Sequence, residues 1–294
     1  MKKHLTQGFL VAIMSLAPIT WALDSQPAGV DAVPTEGMVD FAKLAGLIGQ
    51  DDGHALNVDA VNDIGLRWAM GHEGRQSFAQ AMLWWKEAAR RGHTVAMNNI
   101  GLLYAQGHGV QKDLTQAVDW WHQSAFLGNA WAMNYVGEFY ENGLGVEQNL
   151  LMAMVWYKSA AERGEPMSMF NIGFLYEIGK GVEPDDAEAF SWYRKSAEKG
   201  YASAMHTLGT MYRDGRAVAA DPIEALAWFS VANGRYPPQY SDEARENLEV
   251  MKNLLSNLSE AQRTRALERA TIIETMTKPP KTAEPVALPG KNST

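Results

Sequence analysis

The sequence predicts an all-α protein built as an α-solenoid, on two observations: a period of 36 residues that never slips, and apolar positions within each period that recur at helical spacing. Gly65, Gly101, Gly137, Gly173 and Gly209 stand one period apart, as do Trp84, Trp120, Trp156, Trp192 and Trp228. Ala81, Met97, Gly92, Tyr104 and Gly107 open further columns in the same register. A single helical pair has two apolar stripes and can bury only one, so such units must stack.

Taken in order, residues 1–22 carry Lys2 and Lys3, an apolar run from Phe9 to Leu16 and small residues up to Ala22, the three-part pattern of a secretory signal. The apolar run is shorter than the roughly 20 residues that span a bilayer, so a soluble, exported, periplasmic chain is expected, with extracellular secretion as the alternative. Residues 23–59 read as an exposed lead-in followed by a capping helix over Met38–Ile48. Residues 60–235 hold five repeats.

Within Ala96–Trp131, Met97, Ile100, Leu103 and Tyr104 share one helix face, and Ala117, Trp120, Trp121, Ser124 and Ala125 share another. Between them the turns Gly107-His108-Gly109-Val110, Gly143-Leu144-Gly145-Val146 and Gly179-Lys180-Gly181-Val182 place glycine where the first helix must end left-handed. Asp113, Asn149, Asp185 and Asp221 follow as N-caps of the second helix. The small residues allow close backbone approach, and the Trp120 and Tyr104 columns are expected in the core. The first and fifth repeats depart at the turn, with Met70-Gly71-His72-Glu73 and with Ala217 in place of the second glycine. Residues 236–276 read as two capping helices beyond Pro237-Pro238, the second opened by a capping box at Ser259–Gln262. Residues 277–294 have four prolines and no periodicity and are expected to be disordered.

These columns resemble the Sel1-like repeat, a relative of the tetratricopeptide repeat, most fully in Met133–Gly164 and Met169–Gly200. The resemblance implies a right-handed α-solenoid whose first helices line a concave groove. It also implies adaptor functions: complex assembly, regulation of an envelope process or binding of a host factor.

Composition narrows the chemistry. A net charge of -8, falling to -10 once Lys2 and Lys3 are removed, argues against affinity for nucleic acid. The 46% hydrophobic content excludes a disordered acidic chain, and the absence of Cys excludes disulfides and thiol chemistry. The seven His, including His54, His72, His93 and His122, never form a zinc-helix pattern. No nucleophile elbow or phosphate-binding loop is present, and Asp51-Asp52 and Asp185-Asp186 read as loop and helix-start residues. No enzyme, cofactor or metal is therefore expected.

Taking the buried stripe to centre on Ile100 and its copies, the opposite face supplies the expected partner-binding residues. They are Asn98 and Leu102; Asn134, Glu138 and Glu141; Phe170, Phe174 and Glu177; and His206, Thr210 and Arg213. Phe170 and Phe174 form an aromatic pair that reads as a binding hot spot, or as core if a flanking helix covers it. The expected function is a non-catalytic protein-interaction scaffold in the envelope. The alternatives are a periplasmic immunity protein that neutralises a secreted phospholipase effector, and a binder or hydrolase of cell-wall glycan or β-lactams. The last lacks both Cys and a catalytic motif.

Overall fold

A computed structural model describes residues 57–71, 76–236 and 241–277. The expected export signal over 1–22, the expected capping helix over 38–48, residues 72–75, the Pro237-Pro238 break and the residues from 278 lie outside the described residues. All regular structure in the described residues is α-helical. The chain divides into two compact units at Lys112/Asp113.

The first unit holds α1 (Val58–Met70), α2 (Phe78–Arg90) and α3 (Thr94–Gln106). The second holds α4 (Leu114–Phe126), α5 (Ala130–Asn142), α6 (Leu150–Glu162), α7 (Pro166–Ile178), α8 (Asp186–Glu198), α9 (Ala202–Asp214), α10 (Pro222–Asn233), α11 (Ser241–Asn257) and α12 (Glu260–Met276). Within each unit the helices pack chiefly against their neighbours in the chain, as a helical repeat requires.

Local chemistry sets the boundaries. Asp113, Asn149, Asp185 and Asp221 each accept a backbone N–H of the helix that follows, satisfying donors that would otherwise be orphaned. Each first helix ends at a left-handed glycine, at φ 65° for Gly143 and 68° for Gly179. The second glycine of the turn has another purpose. A Cβ on Gly145 would lie 2.5 Å from the Leu114 carbonyl carbon, and one on Gly181 would lie 2.7 Å from the Leu150 Cβ. Each turn therefore rests on the first turn of the preceding second helix. Ala217 occupies the same turn position at φ 61°, the one non-glycine with positive φ among the described residues.

The expected Trp core needs correction. Trp84 and Trp228 are buried, but Trp120, Trp156 and Trp192 are only half-buried, as is the Tyr104, Tyr140, Tyr176 and Tyr212 column. Lys195 Nζ lies 3.8 Å above the Trp192 ring. The deepest rings come one residue later: Trp85, Trp121, Tyr157, Tyr193 and Phe229, none more than 1% exposed. Four of them, Trp85, Tyr157, Tyr193 and Phe229, fill the space left by glycines of the Gly65 column. A Cβ would lie 2.6 Å from Trp85 at Gly65, 2.7 Å from Tyr157 at Gly137, 2.9 Å from Tyr193 at Gly173 and 2.8 Å from Phe229 at Gly209. Glycine on the first helix and a ring on the second form one packing unit, and the turn of 100° per residue carries the preceding Trp towards the rim.

At the end of the second unit, α11 and α12 both pack on α10. Asn247 of α11 is fully buried and donates to the Phe229 carbonyl at 2.8 Å. The expected capping box is present, with Ser259 accepting from the Gln262 backbone and Gln262 accepting from the Ser259 backbone. Leu226, Leu258 and Ala266 join the helices through an apolar cluster.

Candidate functional site

The structure places the residues expected to line the groove in three different environments. Asn98 is 1% exposed and Leu102 5% in the first unit; in the second, Asn134 is 1% and Glu141 2% exposed. Those four side chains are packing residues, which corrects the expectation of a free face. The reason is visible at Asn134. Its Oδ1 accepts from Ser168 Oγ at 2.8 Å and from Asn171 Nδ2 at 3.0 Å, so α5 packs against α7, the first helix of the next repeat. A first helix thus buries two sectors, one on its own second helix and one on the next first helix. The exposed sector lies well around the helix from the point opposite Ile100.

That sector is a strip at i, i+4, i+7 and i+11. On α5 it runs Trp131, Tyr135, Glu138 and Asn142, all partly exposed; on α7 it runs Met167, Asn171, Phe174 and Ile178. On α9 it continues as Ser203, Thr207, Thr210 and Asp214. Trp131 and Tyr135 meet edge to face at 4.1 Å between centroids, and Tyr135 stacks on the buried Trp121 at 4.6 Å. Glu138, Phe174 and Thr210 are the expected residues that the structure brings onto this strip. Trp131, Tyr135, Met167, Asn171 and Ile178 were not among them; a second buried sector in the periodicity of the first helix is the signal that locates them.

Beside the strip lies a repeated polar network. Both oxygens of the Glu141 carboxylate are occupied, Oε2 by the Tyr157 hydroxyl at 2.7 Å and Oε1 by Lys180 Nζ at 2.8 Å. One period later Glu177 accepts from the Tyr193 hydroxyl at 2.5 Å and from Arg216 at 2.7 Å, while Arg216 also reaches Asp186. In both cases an acid on a first helix is held by the ring of its own repeat and by a cation from the next turn. Burial, followed by the neighbouring carboxylates, drives the Tyr157 and Tyr193 hydroxyls well above the usual phenol range. These hydroxyls stay protonated and donate.

Glu138 differs from both acids. Loss of solvent, with the Glu141 carboxylate beside it, raises its carboxyl from 4.5 to about 8. Its carboxyl has no hydrogen bond or ion pair among the described residues, and its backbone carbonyl accepts from Asn142 Nδ2 at 2.9 Å. Among its neighbours in the second unit, Tyr157 and Glu141 carry the titratable groups and Lys180 the positive charge, already bound to Glu141.

The remaining expected residues have structural partners. Phe170 lies 5.2 Å from the Tyr193 ring and 5.4 Å from Tyr201, and both it and Phe174 pack against the cluster around Met205 and Leu208. Both rings are partly buried against that core, and Phe174 falls in register with the strip. His206 Nδ1 faces Asn247 Oδ1 at 2.9 Å, and burial lowers its pKa. Because Asn247 Oδ1 can only accept, His206 Nδ1 carries the proton. Arg213 pairs with Asp214. Among the described residues no group of three His, Asp or Glu could hold a metal, and no helix is long and apolar enough to cross a membrane. The second helices carry a separate apolar feature, with Phe126 78%, Leu151 74% and Val155 55% exposed.

Comparison with known proteins agrees with this anatomy. No curated protein sequence matches the chain. A Sel1 repeat protein from Oxalobacter formigenes has a similar structure, 30% identical over 74% of this chain and 88% of its own, with a TM-score of 0.63. A protective antigen present in uropathogenic Escherichia coli strains, with an SLR fold, is 28% identical over 75% of this chain and 54% of its own, with a TM-score of 0.56. Immunity protein Pa5087 from Pseudomonas aeruginosa is 20% identical over 74% of this chain and 82% of its own, with a TM-score of 0.45. The Sel1 repeat pattern matches residues 58–93, 94–129, 132–165, 166–201 and 202–232, more than half of the sequence, and the chain belongs to the Sel1 repeat family.

Proposed function

We propose that this protein is a non-catalytic scaffold that binds a partner protein on the first-helix strip of the second unit. Sel1 repeat proteins generally mediate protein–protein interactions, and the fold places its rigid helices so that side chains, rather than backbone, form the contact surface. The observation that carries the reading is the run of Trp131, Tyr135, Met167, Phe174 and Ile178, large apolar side chains left partly exposed along two successive first helices. Aromatic anchors ringed by polar groups such as Asn142, Asn171 and Thr207 have the composition of a binding hot spot. The basic, apolar and small-residue order of residues 1–22 supports export, so the partner is sought in the envelope.

The test is affinity capture from an envelope extract with the exported chain, beside two variants shown by circular dichroism to be folded. One is Trp131→Asp with Ile178→Asp, on the strip. The other is Leu151→Asp with Val155→Asp, on the second helices. A protein retained by the parent and by the second variant but lost from the first supports the reading. Loss from the second variant alone overturns it and moves the binding surface to the exposed apolar face of α6. If the captured protein is a toxin whose activity the chain abolishes, the scaffold acts as an immunity protein.

A further inference from the structure

Five copies of the Glu138 column can be compared: Leu66, Leu102, Glu138, Phe174 and Thr210. Four of them fill the position with a group that never ionises, so the fold has no need of a carboxylate there. Placing an acid in this half-buried position costs stability unless a cation compensates it. Among the described residues no cation pairs with it. The network holds two acids, Glu138 and Glu141, and one positive group, Lys180, whose contact is with Glu141. In the next repeat Arg216 serves both Glu177 and Asp186, so each acid there has a cation, and the position equivalent to Glu138 is the neutral Phe174.

We infer that Glu138 is the receptor for a cationic side chain, lysine or arginine, of the bound protein, held between the aromatic groups of the first-helix strip. This rests on that strip being the partner-binding surface. Three features favour a cation over a neutral ligand. The carboxyl is the one acid on the strip of α5 and α7, and no described residue supplies a hydrogen-bond or ion-pair partner for it. Trp131, held against Tyr135, lies two turns before it on the same face and is a ring of the kind that attracts ammonium or guanidinium groups. The chain as a whole carries a net charge of -8, which steers positively charged ligands towards it. In the free protein Glu138 holds a proton at neutral pH. When the cation arrives, that proton leaves to solvent and a charge-assisted contact replaces it.

The test uses the full chain and two capped hexapeptide pools. In one pool every peptide has Lys or Arg beside Trp or Phe; its twin carries acetyl-lysine and citrulline at the same places. Calorimetry at pH 7 in two buffers of different ionisation heat reads affinity and proton release together. The expected result is binding of the cationic pool about tenfold tighter than the neutral twin, with net release of protons, and loss of both differences in Glu138→Gln. Equal binding of the two pools, cationic binding unchanged in Glu138→Gln, or no saturation by the cationic pool up to about 1 mM each overturns the inference. Trp131→Ala separates the two readings: if it weakens both pools equally while Glu138→Gln changes neither, the strip binds peptides and Glu138 is not a cation receptor. Glu138→Gln conserves shape and removes a buried acid, so its unfolding midpoint at pH 7 checks that it folds.

Discussion

Glu138→Gln tests the electrostatics of the third repeat most directly. The Glu138 carboxyl titrates at about 8 in the folded protein against 4.5 for an ordinary glutamate, because burial and the Glu141 carboxylate both oppose its charge. Between those two values the folded chain holds a proton that the unfolded chain has released. Stability therefore falls as pH rises from 4.5 to about 8 and is unaffected by this group outside that window. Fully realised, a difference of this size corresponds to about 5 kcal/mol, and the partial exposure of the side chain reduces it to about 2 to 3 kcal/mol. Glutamine keeps the size and cannot ionise, so subtracting the variant's pH profile from that of the parent isolates the group. Urea unfolding followed by circular dichroism at pH 4, 6, 7, 8 and 9 should show the two chains nearly equal at the acid end. The variant should gain steadily to pH 8 and hold a constant advantage above it. Parallel profiles across this range, or a gain that grows towards acid, would refute the argument that Glu138 is an uncompensated acid.

The packing yields three further expectations. Gly173→Ala forces a Cβ to within 2.9 Å of the Tyr193 ring, and thermal unfolding should show a loss of about 1 to 3 kcal/mol; an unchanged midpoint would mean that the ring is free to move. Tyr157→Ala, at a fully buried ring, should cost about 3 to 5 kcal/mol, and Trp156→Ala, one residue earlier and half-exposed, distinctly less. The reverse order in denaturant titrations would restore the Trp column to the core. Ala217→Gly relieves a left-handed residue at φ 61° and should raise stability by about 0.5 to 1 kcal/mol; a loss would show that the methyl group makes a contact worth more than the strain.

The helices were legible because their determinants are local. A capping side chain such as Asp185 needs only the backbone N–H groups two and three residues further on, and Gly179 ends its helix by adopting a conformation other residues resist. Repetition multiplied each weak signal by five, so the fold class, the helix boundaries at the turns and the terminal capping box all followed from residue order. The candidate site was legible only in part. A single-stripe reading of the first helix placed Asn134 and Glu141 on a free face, whereas a helix in a stack has two neighbours and leaves a narrower strip elsewhere.

Sequence alone determined the helices, their period and their ends, because these depend on contacts within a few residues. Only the tertiary structure decided that Tyr157 rather than Trp156 fills the space over Gly137, that Asn134 is spent on α7, and that Glu141 is satisfied while Glu138 is not. Those outcomes depend on groups some 16 to 39 residues apart, such as the partners Glu141 and Lys180, whose meeting is set by how one repeat stacks on the next. Local propensity specifies which residues form the helices; the electrostatic balance of a side chain is settled by which neighbours the stack brings within reach.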